Sequence, residues 1–176
     1  RRPFGFDWEE WGHLNGMAAL DHAAETFETD PTRTYVTGHS MGGHGTWHLG
    51  AMHPGRFATV GPSAGWSSFY SYSGSQRPTG PFARARAHSS TMEYLSNLSK
   101  RGAYIIHGSE DRNVPVSEGR ALRDAVSEYT DDVVYHEEEG ADHWWNGDVA
   151  EGADCVDWPD LFAFMKDHTL DPNELD

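Results

Sequence analysis

The chain has 176 residues, of which 37% are hydrophobic and 12% aromatic, and a formal net charge of −15. That is one domain's worth of chain with enough apolar surface for a core, and its acidity argues against a nucleic-acid partner. No apolar run approaches the roughly 18 residues of a membrane span, no signal peptide is visible after Arg1-Arg2-Pro3-Phe4, and the single cysteine, Cys155, has no second thiol for an intrachain disulfide.

The stretch therefore reads as soluble, with its compartment open. Lys100 and Lys166 are its lysines, and an acidic, lysine-poor surface fits salt adaptation and lineage composition equally.

Arg1 to Asp7 reads as irregular. Trp8 to Phe27 reads as a helix, because Met17, Leu20, Ala24 and Phe27 step by three, four and three and form one apolar stripe. Asp7 and Glu10 have the spacing of a capping pair, and Asp30-Pro31 ends the segment, since proline cannot continue a helical ladder. A short β-prone run, Thr34 to Thr37, leads into Gly38-His39-Ser40-Met41-Gly42. A helix is predicted from Gly42 to Met52, closed by His53-Pro54-Gly55.

Phe57 to Val60 is predicted as a strand, and Ser67 to Pro81, rich in Ser, Tyr, Gly and Pro, as a surface loop. Thr91 to Leu98 is a short helix candidate and Ala103 to His107 an apolar strand. Pro115 to Tyr129 is a helix with Leu122, Ala125, Val126 and Tyr129 on one face. Asp132 to Glu137 is a strand, and Asp157 to Asp167 a last helix with Leu161, Phe162 and Met165 inward and Asp157 as its cap. Strands alternating with helices imply βαβ units and a parallel sheet flanked by helices. There is no internal repeat and no sign of a second domain, so residues 1–176 read as one domain.

The spacing Gly-x-Ser-x-Gly between a strand and a helix is that of a nucleophile elbow. A serine at the tip of so tight a turn presents its hydroxyl to a cleft, and Gly38 and Gly42 are read as removing side chains that would collide with the neighbouring strand and helix. The Met41 N–H is then aimed at a developing oxyanion. Two further strand ends carry suggestive turns: Gly108 to Pro115, containing Glu110 and Asp111, and Glu138 to His143. In a parallel sheet, chemistry gathers beyond the carboxyl ends of the strands. The order Ser40, Asp111, His143 is that of the α/β-hydrolases. Glu110 competes with Asp111 for the acid's place, and His107 and His136 compete with His143 for the base's.

Gly38-His39-Ser40-Met41-Gly42-Gly43, His107-Gly108 to Val114-Pro115, and Gly140 to His143 together resemble the prolyl oligopeptidase-like group of α/β-hydrolases, a group of serine peptidases and related esterases. The resemblance covers roughly residues 4 to 168. It implies the C-terminal part of a catalytic domain whose N-terminal strands lie outside this sequence, together with a second oxyanion donor from an early loop. It also implies Ser40 as nucleophile, His143 as base and then acid, and Asp111 as the group that orients the imidazole, with an acyl-enzyme between two half-reactions. The expected substrates are peptides, with esters as the alternative; a non-catalytic binding module is the reading from another class.

Trp66 and Trp144 follow strand ends on the catalytic side and are candidate pocket walls. No cofactor and no metal are expected. His44 and His48 have a zinc-compatible spacing but no third ligand, and read as helix-surface residues; Asp154, Cys155 and Asp157 read as an acidic surface loop. The expected partner, besides substrate, is the upstream part of the same polypeptide or a second copy across an exposed sheet edge at Tyr35 and Val36. On its own, this stretch is expected to be a poor catalyst.

Overall fold

The structure is a computed structural model that describes residues 7–147 and 152–171. Nearly all of the opening stretch read as irregular lies outside those residues. The elements are α1 (Glu10–Thr26), β1 (Tyr35–His39), α2 (Met41–Met52), β2 (Thr59–Ser63), α3 (Phe69–Tyr72), α4 (Pro81–Ala85), β3 (Gly102–Gly108), α5 (Val116–Val126), β4 (Val133–Glu138), α6 (Asp154–Asp157) and α7 (Pro159–Lys166). The four strands form one parallel sheet in the order β1-β2-β3-β4, flanked by helices. Among the described residues no helix is long and apolar enough to cross a membrane.

The period-two alternation of β3 divides the interior into two layers. Ala103 and Ile105 face a core with Trp47 and Ala51 of α2, Leu95 and Leu98, and Leu122 and Val126 of α5. Tyr104 and Ile106 face the other side, against Leu161 and Met165 of α7. β3 is buried along its whole length, as a strand covered by helices on both faces should be. β1 is an outermost strand, and Thr37 at its middle is exposed.

Several elements depart from expectation. β2 runs on through Gly61 and Pro62, which the sequence reading took as its end. Pro62 has no N–H to give, and the pairing of β2 with β3 skips Gly61 and Pro62 while keeping register at Thr59, Val60 and Ser63. The inward face of α1 is Gly12, His13, Gly16, Met17, Leu20 and Ala23; Ala24 and Phe27 are exposed. Asp7 bonds the Glu9 N–H, and among the described residues no side chain caps α1. The loop after β2 contains α3, and residues 91–98 form two 3₁₀ turns. Phe162 faces solvent, as does Tyr129, and Asp157 does not cap α7. Residues 154–157 form α6, with Cys155 buried.

His44 and His48 are buried, not on a helix surface. α2 is covered nearly all round, and groups from distant parts of the chain pack against the imidazoles. The His44 Nδ1–H donates to the Trp66 carbonyl at 3.0 Å, its ring stacks on the Trp66 indole at 5.2 Å, and the Glu9 carboxylate lies 3.6 Å from its Nε2. Beside them His13 of α1 meets His53 at the end of α2, Nε2 to Nε2 at 2.6 Å, and sets its ring edge against His48. Burial holds His13 and His53 below their ordinary value and pushes His48 down to about 4. His44, Glu9 and His88 surround His48, and Arg56 and Asp21 flank His53.

The α1–α2 contact should therefore weaken in acid. The unfolded chain takes up these protons near pH 6.5 and the folded one does not. The stability the neutral imidazoles contribute is complete above 6.5 and is lost as pH falls through their folded values. For His48 the loss reaches about 3 kcal/mol once pH lies below both values. The urea midpoint should fall more steeply between pH 7 and 4 in the wild type than in His48→Gln; parallel curves would mean that His48 does not carry the effect.

Candidate active site

Ser40 stands between β1 and α2 with φ 60° and ψ −117°, a conformation that side chains avoid and that tight functional turns retain. Its N–H donates to the Ser63 carbonyl at 2.9 Å and its carbonyl accepts from His44 N–H at 3.0 Å, so both flanking elements hold the strained residue in place. A Cβ on Gly38 would lie 2.7 Å from the Gly42 carbonyl carbon and oxygen. One on Gly42 would meet nothing within 4 Å. One on Gly43 would overlap the Ser63 carbonyl oxygen and lie 2.9 Å from Gly65 Cα. The close approach that the sequence reading gave to Gly42 thus belongs to Gly43. Met41 opens α2, and the first N–H groups of a helix have no intrahelical acceptor, which leaves its donor for a ligand.

Asp111 lies just past β3, with its carboxylate fully buried. Oδ1 accepts the N–H groups of Asn113 and Val114, both at 2.8 Å, and Oδ2 lies 2.8 Å from His143 Nδ1. His143, beyond β4, places its Nε2 2.9 Å from the Ser40 hydroxyl. The three groups thus form one line at the carboxyl ends of β1, β3 and β4. The rival residues are engaged elsewhere. His107 is buried, donates from Nε2 to the Val114 carbonyl at 3.0 Å, and lies 3.5 Å from Asp111; burial lowers its pKa. His136 bonds Glu138 and stacks on Trp158. Glu110 is exposed.

A second set of contacts ties the acid's loop to the base's loop. Asp142 Oδ1 accepts from the Arg112 N–H at 3.0 Å and from the His143 N–H at 2.8 Å. Its Oδ2 accepts from Arg112 Nε at 2.6 Å and again from Arg112 Nη2. The Arg112 backbone N–H above all, and then its guanidinium, hold Asp142 down to about 2. The Glu110 N–H donates to the Ala141 carbonyl at 2.9 Å and the Gly140 N–H to Ser109 Oγ at 2.8 Å. Arg112 and Asp142 are not among the site residues expected from the sequence. The signal was a cation directly after Asp111 and an anion directly before His143.

The two tryptophans part ways. Trp144 is 65% exposed beside His143, with its ring 4.2 Å from that of His39. Trp66 is packed in the interior, stacked on His44 and on Tyr72 at 4.5 Å. Among the described residues no group of three or more histidine, cysteine or acidic side chains is arranged to hold a metal ion.

The family model described as prolyl oligopeptidase family matches residues 4–169. The chain belongs to that family. Its parallel sheet flanked by helices has the α/β-hydrolase fold. An uncharacterized secreted protein of Arthroderma benhamiae is 26% identical over 162 residues, an alignment covering 81% of this chain and 17% of that protein. A puromycin-hydrolyzing peptidase of Mycobacterium tuberculosis superposes with a TM-score of 0.67 at 19% identity, over 78% of this chain and 22% of the other. An acylaminoacyl peptidase, solved with a chloromethyl ketone, gives 0.60 at 20% over 87% and 26%. A thermostable esterase gives 0.57 at 23% over 75% and 29%. At these identities the likeness to the solved structures is one of fold. The chain spans less than a third of the length of each of these relatives.

Proposed function

We propose that the protein is a serine peptidase that cleaves its substrate through an acyl-enzyme. Ser40 is the nucleophile, His143 the base and then the acid, and Asp111 the orienting carboxylate. The observation that carries this reading is the unbroken line from Ser40 Oγ to His143 Nε2 at 2.9 Å and from His143 Nδ1 to Asp111 Oδ2 at 2.8 Å. Asp111 keeps the imidazole proton on Nδ1, so the Nε2 lone pair faces the hydroxyl. Attack on the scissile carbonyl moves the serine proton to Nε2 while the carbonyl oxygen gains charge, and the Met41 N–H is placed to receive it. The imidazolium then protonates the leaving amine; water repeats the sequence and frees the acid. Trp144, exposed beside His143, is the proposed substrate contact. Trp66, enclosed by its own stack, is left out of that surface.

A fluorophosphonate probe tests the mechanism, and a substrate panel tests the class. The probe should modify Ser40, located by mass spectrometry of the peptides. Aminoacyl anilides should be cleaved with a kcat/KM that an ester-only enzyme lacks. Turnover confined to aryl esters would assign a carboxylesterase. Absence of any adduct would favour a binding module that keeps the hydrolase fold.

A further inference from the structure

The residue before the nucleophile, His39, has no part in the proton path above, yet its ring lies directly against that path. Its centroid is 4.6 Å from that of His143, with the ring planes inclined at 47°, and 4.2 Å from that of Trp144. Its Nδ1 lies 3.0 Å from Ser63 Oγ. The Ser63 hydroxyl spends its one proton on the Cys155 carbonyl, at 2.5 Å. Toward His39 it is therefore an acceptor, which puts the His39 proton on Nδ1 and leaves Nε2 bare. Among the described residues that buried Nε2 has no hydrogen-bond partner, so it is no second base for Ser40. The same Ser63 holds the Ser40 N–H through its backbone carbonyl. One residue of β2 thus fixes both the turn that carries the nucleophile and the ring that backs the base.

We infer that His39 is a positioning residue for His143: its ring, fixed in one tautomer by Ser63, is the wall that keeps the base imidazole in line with Ser40. The inference rests on the Ser40–His143 reading of the preceding section. Two physical consequences distinguish it from a residue that only packs the strand end. First, a base free to swing away from the hydroxyl loses turnover and not substrate binding, since small misplacements of a reacting group cost rate. Second, the wall excludes water from one side of His143. The groups around the pair are Asp111 and His107 from the β3 side, the Cys155 backbone from α6 and Trp144. Burial first, and the neighbouring His143 second, push His39 down to about 4. It therefore stays neutral while His143 carries the proton in the reaction, and it offers that cation a ring and not a like charge.

Two substitutions separate the ring from the hydrogen bond. His39→Gln keeps a donor for Ser63 but removes the ring. His39→Phe keeps a ring but removes the donor. In the protein at its full natural length, His39→Gln should lower kcat about 10- to 100-fold with KM little changed. The acid limb of its kcat/KM profile should move to higher pH, because water admitted beside His143 favours the cation. His39→Phe should recover most of the rate and return the limb. A wild-type rate and profile for a folded His39→Gln would overturn the inference. So would an equal loss in both variants, or a loss in which the limb stays where it was, since each describes a residue that merely holds the strand end. Labelling with fluorophosphonate keeps the two readings apart. An adduct away from Ser40 defeats the nucleophile assignment, whereas an adduct on Ser40 with an unmoved profile defeats the role of His39 alone.

Discussion

Ser40→Ala is expected to lower kcat by about 10⁴- to 10⁶-fold without unfolding the protein, because nucleophile, base and acid act as a unit. Among the described residues the hydroxyl is the one group bonded to His143 Nε2. Its backbone N–H, bonded to Ser63, survives the substitution. Asp111→Asn should be nearly as severe, for a reason the local bonds make explicit. Asn113 and Val114 both donate to Oδ1, so the amide oxygen must take that place. The amide nitrogen then faces His143 Nδ1, which must become an acceptor. The imidazole proton moves to Nε2, where it points at Ser40 and blocks the transfer. A loss of about 10⁴-fold is the expected size of a wrong tautomer. Burst and steady-state kinetics on an activated ester, with thermal midpoints alongside, measure both. Near-normal turnover by Ser40→Ala would mean that another group is the nucleophile.

The parts of this molecule that were legible in the sequence are those decided by neighbours in the chain. The elbow, the turn carrying Asp111 and the turn carrying His143 each lie within a few residues of a strand end, and the strand periodicity that locates them is local. The parts that were not legible depend on what arrives from far away. His44 and His48 have the spacing of an exposed polar face. They are interior because Trp66 stacks on one and Glu9 and His13 close over the helix. The apolar stripe of α1 was read one step too far along, since Gly12, Gly16 and Ala23 offer little hydrophobicity to a periodicity count yet form the contact face. Gly61-Pro62 looked like a terminator and lies inside β2 because both residues stay paired with β1 while the pairing with β3 skips them. Trp66 looked like a pocket wall because it follows a strand end, but Tyr72 from its own loop folds over it.

The same distinction yields the largest expected stability effect, at a glycine whose neighbours in the chain do not mark it out. Gly43→Ala should destabilise the protein by about 3 kcal/mol or more, the upper end of what overpacking costs, whereas Gly42→Ala should be neutral or stabilising by up to about 1 kcal/mol from helix propensity. Both glycines lie in the first turn of α2, and the sequence motif gives the weight to Gly42. Space gives it to Gly43. A methyl there would overlap the Ser63 carbonyl oxygen and press on Gly65 Cα and N, both at 2.9 Å. Gly65 meets Gly43 reciprocally, with a Cβ there 2.6 Å from the Gly43 carbonyl carbon. The obstacles are backbone atoms, so no rotamer change relieves them. Relief requires Ser63 to move, and Ser63 holds the Ser40 N–H through its carbonyl and His39 through its hydroxyl. Stability and turnover should therefore fall together. For a domain of this size the thermal midpoint should drop by roughly 6–12 °C, with kcat/KM reduced even well below the transition. Gly42→Ala, open to at least 4 Å, should melt at or above the wild-type temperature. If the two variants melt alike, the contact between the start of α2 and the end of β2 is not what makes a glycine necessary after the elbow.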